Sequence, residues 1–143
     1  MNYAPTASKV EKVVQPGEFI FATAFLEHGH IFGQMNGLTE AGGECRWVYD
    51  PQPERARAFA EKFPGVQVAD SFEQILEDPD VKLVSAAAIP SDRAEIGFRT
   101  LRAGKDYFTD KSPFTTLEQL EEARKVVNET GRKYLCYYSE RIH

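Results

Sequence analysis

Positive charge, cysteine, histidine and long apolar runs are all scarce in this sequence. Seventeen Lys and Arg oppose 22 Asp and Glu, and the resulting net charge of −5 argues against nucleic-acid binding, which requires a basic surface. The same charge argues against adsorption to an anionic membrane surface. No apolar stretch approaches the ~20 residues of a transmembrane helix, and residues 1–17 lack the apolar centre of a signal peptide.

The few cysteines and histidines limit redox and metal chemistry. Cys45 and Cys136 lie far apart in strand-like segments, which indicates buried thiols rather than a disulfide framework and favours a cytoplasmic location. His28 and His30 flank Gly29. No third His, Cys or acidic residue follows them at ligand spacing, so the sequence predicts no metal site.

Short apolar runs alternate with helical patterns from Glu18 onward, which favours a parallel sheet with crossover helices. Six strands are predicted, at 19–26, 45–49, 66–68, 81–89, 107–109 and 134–138. Helical patterns lie between them. The expected fold is therefore α/β, a doubly wound parallel sheet of order 3-2-1-4-5-6. It forms a single domain over residues 18–143, preceded by an N-terminal arm at 1–17.

Polar and special residues predict where the helices begin and end. Ser71 is expected to cap one helix, and Ser91 or Asp92 to cap another after Pro90. A third helix is predicted to begin with a capping box, and glycines are expected to end three helices. The box residues are Thr115 and Glu118, and the terminating glycines are Gly42, Gly104 and Gly131.

The loop after the first strand is the place for a glycine-rich phosphate-binding turn. Gly29 would let the backbone approach a pyrophosphate, which the positive end of the following helix would attract. The expected first and third glycine positions hold Glu27 and Phe32, and Gly33 lies one place late. The candidate cofactor contacts here are His28, Gly29, His30 and Ile31. The alternative is an ordinary turn between a strand and a helix.

Asp50 ends the second strand, 21 residues beyond Gly29. This is close to the roughly 20-residue spacing of the carboxylate that binds the adenine-side ribose. A carboxylate there favours NAD, because it repels the additional phosphate of NADP. Arg55 and Arg57 keep NADP as the less favoured alternative. A helix-capping role for Asp50 is the other interpretation.

Two further strand ends contribute candidates, because ligands bind beyond the carboxyl ends of the strands. Ile89 and Pro90 follow the fourth strand and are candidate cofactor contacts. Asp110 and Lys111 follow the fifth. Lys111 would place an ammonium near the nicotinamide or a substrate hydroxyl and is the candidate catalytic residue. The alternative for these last two is a solvated ion pair.

Several segments of the chain, from about Glu18 to its end, resemble the Gfo/Idh/MocA family of oxidoreductases. The matching segments are 29–31 in the first loop, 49–56, 78–81, 88–90, and 103–105 followed by 109–116. The family's Glu-Lys-Pro triplet corresponds to Asp110, Lys111 and Ser112-Pro113, so the loop is expected to bend differently. The family tends to have a histidine soon after the fourth strand, and the resemblance implies that this contact is either missing here or taken by Arg93.

The resemblance implies an NAD-dependent dehydrogenase acting on a sugar, polyol or similar small hydroxyl-bearing substrate. In the family a second domain supplies much of the substrate pocket and the oligomer contacts. We therefore expect a fragment that lacks this domain, binds NAD and is inactive alone, with a homo-oligomer as a possible state of the whole protein. Glu27 and Phe32 favour the alternative, a non-catalytic module for regulation or assembly.

Overall fold

The computed structural model describes residues 11–138, so most of the predicted arm and residues 139–143 lie outside the described part. The strands are β1 (Ile20–Ala24), β2 (Glu44–Tyr49), β3 (Gln67–Val68), β4 (Val81–Ala86), β5 (Asp106–Asp110) and β6 (Tyr134–Tyr137). The helices are α1 (His30–Glu40), α2 (Pro53–Lys62), α3 (Phe72–Glu77), α4 (Pro90–Arg102) and α5 (Leu117–Thr130). Over residues 11–138, no helix has the length and apolar character needed to cross a membrane.

The six strands form one all-parallel sheet in the order β3-β2-β1-β4-β5-β6, which confirms the predicted fold. Helices α1 and α2 pack on one face, and α3, α4 and α5 pack on the other. The central strand β1 is buried on both faces from Phe21 to Ala24, as its continuous apolar sequence requires. Strands β2 and β3 lie on one side of β1, and β4 to β6 lie on the other. The switch point of the topology is therefore between β1 and β4, where such folds bind ligands.

Two strands are each three residues shorter than their apolar runs predicted. The first ends at Ala24 because Phe25 has a φ of 55°, which breaks the ladder. The fourth ends at Ala86, although Ala87 and Ala88 are fully buried. Burial therefore continues past the point where strand pairing stops, and composition alone cannot separate the two.

The structure confirms some helix termini and shifts others. Ser71 caps α3 by accepting the N–H of Gln74 at 3.1 Å, as predicted. The capping box prediction is wrong by one residue, since Thr116 caps α5 and accepts the N–H of Gln119. The predicted cap of α4 at Ser91 or Asp92 is wrong, because that helix starts at Pro90, whose fixed φ suits a first helical position. Gly104 and Gly131 follow their helices with φ of 81° and 66°, as helix-ending glycines should.

Asp78 is a partly buried carboxylate that joins β2 to the segment before β4. It accepts the indole N–H of Trp47 at 2.7 Å, the backbone N–H of Asp80 at 2.9 Å and the guanidinium of Arg46 at 3.1 Å. Burial alone would raise the pKa of Asp78, but these hydrogen bonds and the charge of Arg46 outweigh it and hold the pKa below its usual value. The ionised form is therefore favoured in the folded state.

We expect Asp78→Asn to lower the free energy of unfolding by about 1–3 kcal/mol at neutral pH, because the ionised acceptor is lost. A depressed carboxyl pKa stabilises the fold above the unfolded value and loses this effect as pH falls through the folded value. The difference from the wild type should therefore shrink below about pH 4. Urea unfolding at several pH values measures it. Asp80→Asn, at a 65% exposed side chain that pairs with Arg46, is the control and should cost less than about 1 kcal/mol.

Candidate functional site

The turn that leaves β1 is organised around Phe25 rather than Glu27. Phe25 holds the left-handed conformation that a tight turn gives to its first glycine, two residues before the position that the motif spacing indicated. For a large side chain this costs about 1–3 kcal/mol. Edge contacts of its ring with Tyr49 and Phe72, at 5.6 and 5.0 Å between centroids, hold it there.

Gly29 lies where the sequence predicted, directly at the start of α1. It is the N-cap residue, with φ −62° and ψ −16°, and it is exposed. A methyl group added to it would meet no atom within 4 Å. The space over the positive end of α1 is therefore open to an anion.

The neighbours of Gly29 on α1 turn away from this space. Ile31 is 1% exposed, and its side chain packs in the core beneath α1. Phe32 occupies the expected third glycine position, where a large side chain could obstruct the cofactor. Its ring instead stacks on Phe59 at 5.9 Å between centroids. Lys62 covers its ring, with Nζ 4.1 Å from the centroid. Phe32 thus belongs to the contact between α1 and α2 and leaves the cleft free.

Gly33 has a packing role. A Cβ there would lie 2.7 Å from the hydroxyl of Tyr137, so this glycine lets the last strand approach α1. Tyr137 also meets the ring of His30 edge-on at 5.8 Å. Sequence reasoning missed Tyr137 as a neighbour of the loop, because more than 100 residues separate it from His30.

Asp50 lies at the end of β2, and its carboxylate is already engaged. It is 3% exposed, and its two oxygens accept the backbone N–H of Leu26 at 2.7 Å and of Gln52 at 2.8 Å. Arg55 lies 3.5 Å from it. The N-cap of α2 is Gln52, so the helix-capping interpretation of Asp50 is wrong. Instead, the carboxylate fastens the loop after β1 to the end of β2.

Glu27 is an exposed acid near the start of α1. Partial desolvation raises the pKa of Glu27, the negative charge of Asp50 raises it further, and Arg55 lowers it. The carboxylate is thus less costly to protonate than a fully solvated one.

The end of β5 meets the loop after β1 at Asp110. This carboxylate is 1% exposed and lies 2.9 Å from Nδ1 of His30 and 3.3 Å from Nδ1 of His28. It also accepts the backbone N–H of Lys111 at 2.8 Å. Lys111 is half-buried, and its peptide bond to Ser112 is cis. The structure thus brings together four of the predicted site residues that come from opposite ends of the sequence.

Arg93 is a buried brace rather than a ligand contact. It donates to the carbonyl oxygens of Ala88 at 2.7 Å, Ser112 at 3.2 Å and Lys111. Its guanidinium also lies 3.5 Å from Asp110. With 3% of its side chain exposed, it does not replace the histidine that the family places nearby. It fixes the loop that carries Lys111 against the end of β4.

The other residues around the switch point lie at the open edge of the sheet. Ile89 is 49% exposed and Pro90 is exposed at the start of α4, so both border the cleft.

Gln34, which the sequence did not single out, is 1% exposed on α1. Its amide donates to Ser85, to the carbonyl oxygen of Ala86 and to that of Phe108, which ties α1 to β4 and β5.

This arrangement has the chemistry of a dinucleotide site. An open helix N-terminus at Gly29 suits phosphate charge. Imidazoles, a lysine and a buried carboxylate lie on the side of β4 and β5, where proton and hydroxyl chemistry is possible. The residues therefore fit a nicotinamide cofactor.

Comparisons with known proteins agree with this description. The family model for the oxidoreductase family GFO_IDH_MocA, NAD-binding Rossmann fold, matches residues 22–138. A provisionally named oxidoreductase of Erwinia carotovora atroseptica is 43% identical, with a TM-score of 0.81 over 85% of this chain and 37% of its own. A comparison with curated proteins finds no match.

Two more distant structures share the fold. GenD2 of gentamicin A biosynthesis, solved with NAD, is 18% identical with a TM-score of 0.77 over 92% of this chain and 36% of its own. Biliverdin reductase of Synechocystis, solved with biliverdin and NADP+, is 17% identical with a TM-score of 0.75 over 87% of this chain and 39% of its own. The present chain thus spans well under half the length of these proteins. On the family match over residues 22–138, this chain belongs to the Gfo/Idh/MocA oxidoreductases and is their NAD-binding Rossmann domain.

Proposed function

We propose that this chain binds NAD as the cofactor domain of a dehydrogenase that acts on a sugar, polyol or similar hydroxyl-bearing molecule. The observation that carries the proposal is the open, positively polarised start of α1 at Gly29. The pyrophosphate would lie there, with His28 and His30 beside it. When bound, the nicotinamide would accept or supply the hydride of the reaction.

The nicotinamide half would lie toward β4 and β5. Ile89 and Pro90 are exposed along that path, and Lys111 follows Asp110 at its end. We propose Lys111 as the residue that contacts the substrate hydroxyl or the nicotinamide amide. Its backbone is fixed on two sides, since Asp110 accepts its N–H and Arg93 donates to its carbonyl oxygen.

The adenine-side ribose would lie near Asp50 at the end of β2. Because both carboxylate oxygens already accept backbone N–H groups, Asp50 would use its remaining lone pairs toward the ribose hydroxyls. Its negative charge supports NAD over NADP. Arg55, 3.5 Å from it and partly exposed, is the residue that a 2′-phosphate would contact.

We expect Gly29→Ala to weaken NAD binding at least tenfold, a loss of about 1.4 kcal/mol or more, because the methyl group occupies the space of the pyrophosphate. The free protein tolerates that methyl group, since φ is −62° and no atom lies within 4 Å. Its free energy of unfolding should change by less than about 1 kcal/mol. Calorimetric titration with NAD and with NADP, together with urea unfolding, measures both effects.

Gly37→Ala is the matched control. Gly37 also lies on α1 with no atom within 4 Å of an added Cβ, but two turns away from the loop. This variant should bind NAD like the wild type. Wild-type affinity in Gly29→Ala, or no binding of either nucleotide by the wild type, would contradict the proposal. Tighter binding of NADP than of NAD, lost in Arg55→Ala, would overturn the choice of cofactor alone.

A second candidate is a non-catalytic Rossmann module for regulation or assembly. The engagement of both Asp50 oxygens with the backbone favours it, because a structural role already accounts for this carboxylate. In that case neither nucleotide binds the wild type at millimolar concentration. The same titration therefore separates the two candidates.

The cellular setting is part of the proposal. The two described cysteines are free, and burial raises the pKa of the Cys45 thiol to about 11, which keeps it in the unreactive thiol form. This supports a cytoplasmic location. The proposed partners are a small-molecule substrate and, for the whole protein, further copies of itself.

A further inference from the structure

Three side chains from the two ends of the sequence converge at the carboxyl edge of the sheet. These are His28, His30 and Asp110, and their ligand atoms all lie within 4.8 Å of one another. The sequence alone offered the two histidines no third partner. The structure supplies one 80 residues away from His30, because β5 ends next to the loop that follows β1.

Nδ1 of His28 faces two groups, the backbone N–H of His30 and the carboxylate of Asp110. Nδ1 of His28 accepts the backbone N–H of His30 at 3.2 Å, so this nitrogen carries a lone pair. The same nitrogen lies 3.3 Å from Oδ2 of Asp110, which is also an acceptor. Two acceptors at this distance repel each other unless a proton or a metal ion lies between them.

The spacing of these atoms suits a metal ion. Four ligands at about 2.0–2.1 Å from a tetrahedral zinc ion lie roughly 3.3 Å apart. The two nitrogen-to-oxygen distances are 2.9 and 3.3 Å, to the two different oxygens of Asp110. All the ligand atoms lie within 4.8 Å of one another, so the side chains would close in around one ion to complete the coordination. Neutral imidazole nitrogens with one carboxylate form a donor set that zinc accepts in proteins.

The burial of Asp110 and the groups that hold its carboxylate are also typical of a metal ligand. Asp110 is 1% exposed and is oriented by the N–H of Lys111 at 2.8 Å and by Arg93 at 3.5 Å. Such outer contacts fix the ligands of metal sites. The side chains of His28 and His30 are 52% and 29% exposed, so a fourth position faces solvent. The charge of Arg93 opposes a cation, which makes the Asp110 carboxylate indispensable to the site.

We propose that His28, His30 and Asp110 bind a divalent transition-metal ion of the zinc type, with the fourth position open to water or a ligand oxygen. This site goes beyond the proposed nucleotide function and does not depend on it. It is also recognisable without any nucleotide, so the two ideas are tested separately.

The test is titration of the metal-free 143-residue chain with Zn2+ alone, followed by competition with a chromophoric chelator. We expect one ion per chain with submicromolar affinity. His28→Ala should weaken binding at least about 100-fold, since even outer-shell partners of metal ligands are worth 10- to 100-fold. His28 is more than half exposed, so this variant should keep the fold, as circular dichroism would show. Co2+ should give the strong visible absorption of a tetrahedral site.

Glu54→Gln is the control and should bind zinc like the wild type, because this exposed carboxylate pairs with Arg57 and is not part of the cluster. No uptake of Zn2+ at micromolar concentration overturns the proposal and leaves a proton-bridged histidine–aspartate pair. Wild-type affinity in His28→Ala also overturns it and assigns the ion to other groups, such as the thiols of Cys45 and Cys136.

Discussion

Arg93→Ala should lower the free energy of unfolding by about 3–5 kcal/mol, because removing one partner of a buried pair leaves the other charge uncompensated. The charge left behind is that of Asp110, whose side chain is 1% exposed. The substitution also removes the donor for the carbonyl oxygens of Ala88 and Ser112. Urea unfolding followed by circular dichroism measures the loss.

A second variant separates charge from geometry at this position. Arg93→Lys keeps the positive charge but cannot donate in several directions at once, because an ammonium lacks the planar fork of a guanidinium. We expect a loss between those of the wild type and the alanine variant. Proteolysis of the loop at 111–116 should also increase in both variants, because Arg93 holds this loop to the end of β4.

Arg102→Ala on the same helix is the control. Arg102 pairs with Glu122 at 2.7 Å, and both side chains are well exposed. Such surface pairs contribute about 0–1 kcal/mol. Equal losses in the Arg93 and Arg102 variants would mean that Arg93 does not act as a buried brace.

Gly97→Ala should destabilise the fold by about 1–3 kcal/mol, although alanine is the better helix former. A Cβ at Gly97 would lie 2.6 Å from the ring of Tyr107 and 2.7 Å from that of Tyr134. These rings form an edge-to-face pair with centroids 5.0 Å apart, and Tyr107 is fully buried. The hydroxyl of Tyr107 donates to the carbonyl oxygen of Arg93 at 2.9 Å, so the ring cannot move freely.

Gly37→Ala should change the free energy of unfolding in the opposite direction in the same assay. Gly37 lies within α1, is exposed and has no atom within 4 Å of an added Cβ. The substitution should therefore raise stability by about 0.5–1 kcal/mol through helix propensity. Stabilisation by both substitutions would show that the tyrosine pair yields to the methyl group and that α4 does not depend on glycine at this point.

The candidate site was only partly predictable. The spacing of Gly29 and the positions of Asp110 and Lys111 at a strand end followed from the pattern of strands and helices. The engagement of Asp50 with Leu26 and Gln52 did not, because a carboxylate at a strand end has the same sequence signature whether it faces a ribose or a backbone N–H. The direction of Phe32 was also missed, since it depends on the aromatic residues of α2.

By itself the sequence determined the order of elements and the topology of the sheet. Alternating apolar periods define strands and helices, and right-handed crossovers then leave few ways to arrange six parallel strands. Only the tertiary structure decided which side chains meet across the sheet. His30 and Asp110 are 80 residues apart, and their contact depends on the register of three strands and on where each strand stops. A local sequence pattern does not predict that register, because the hydrogen bonds between strands are formed by backbone groups and not by residue-specific side chains.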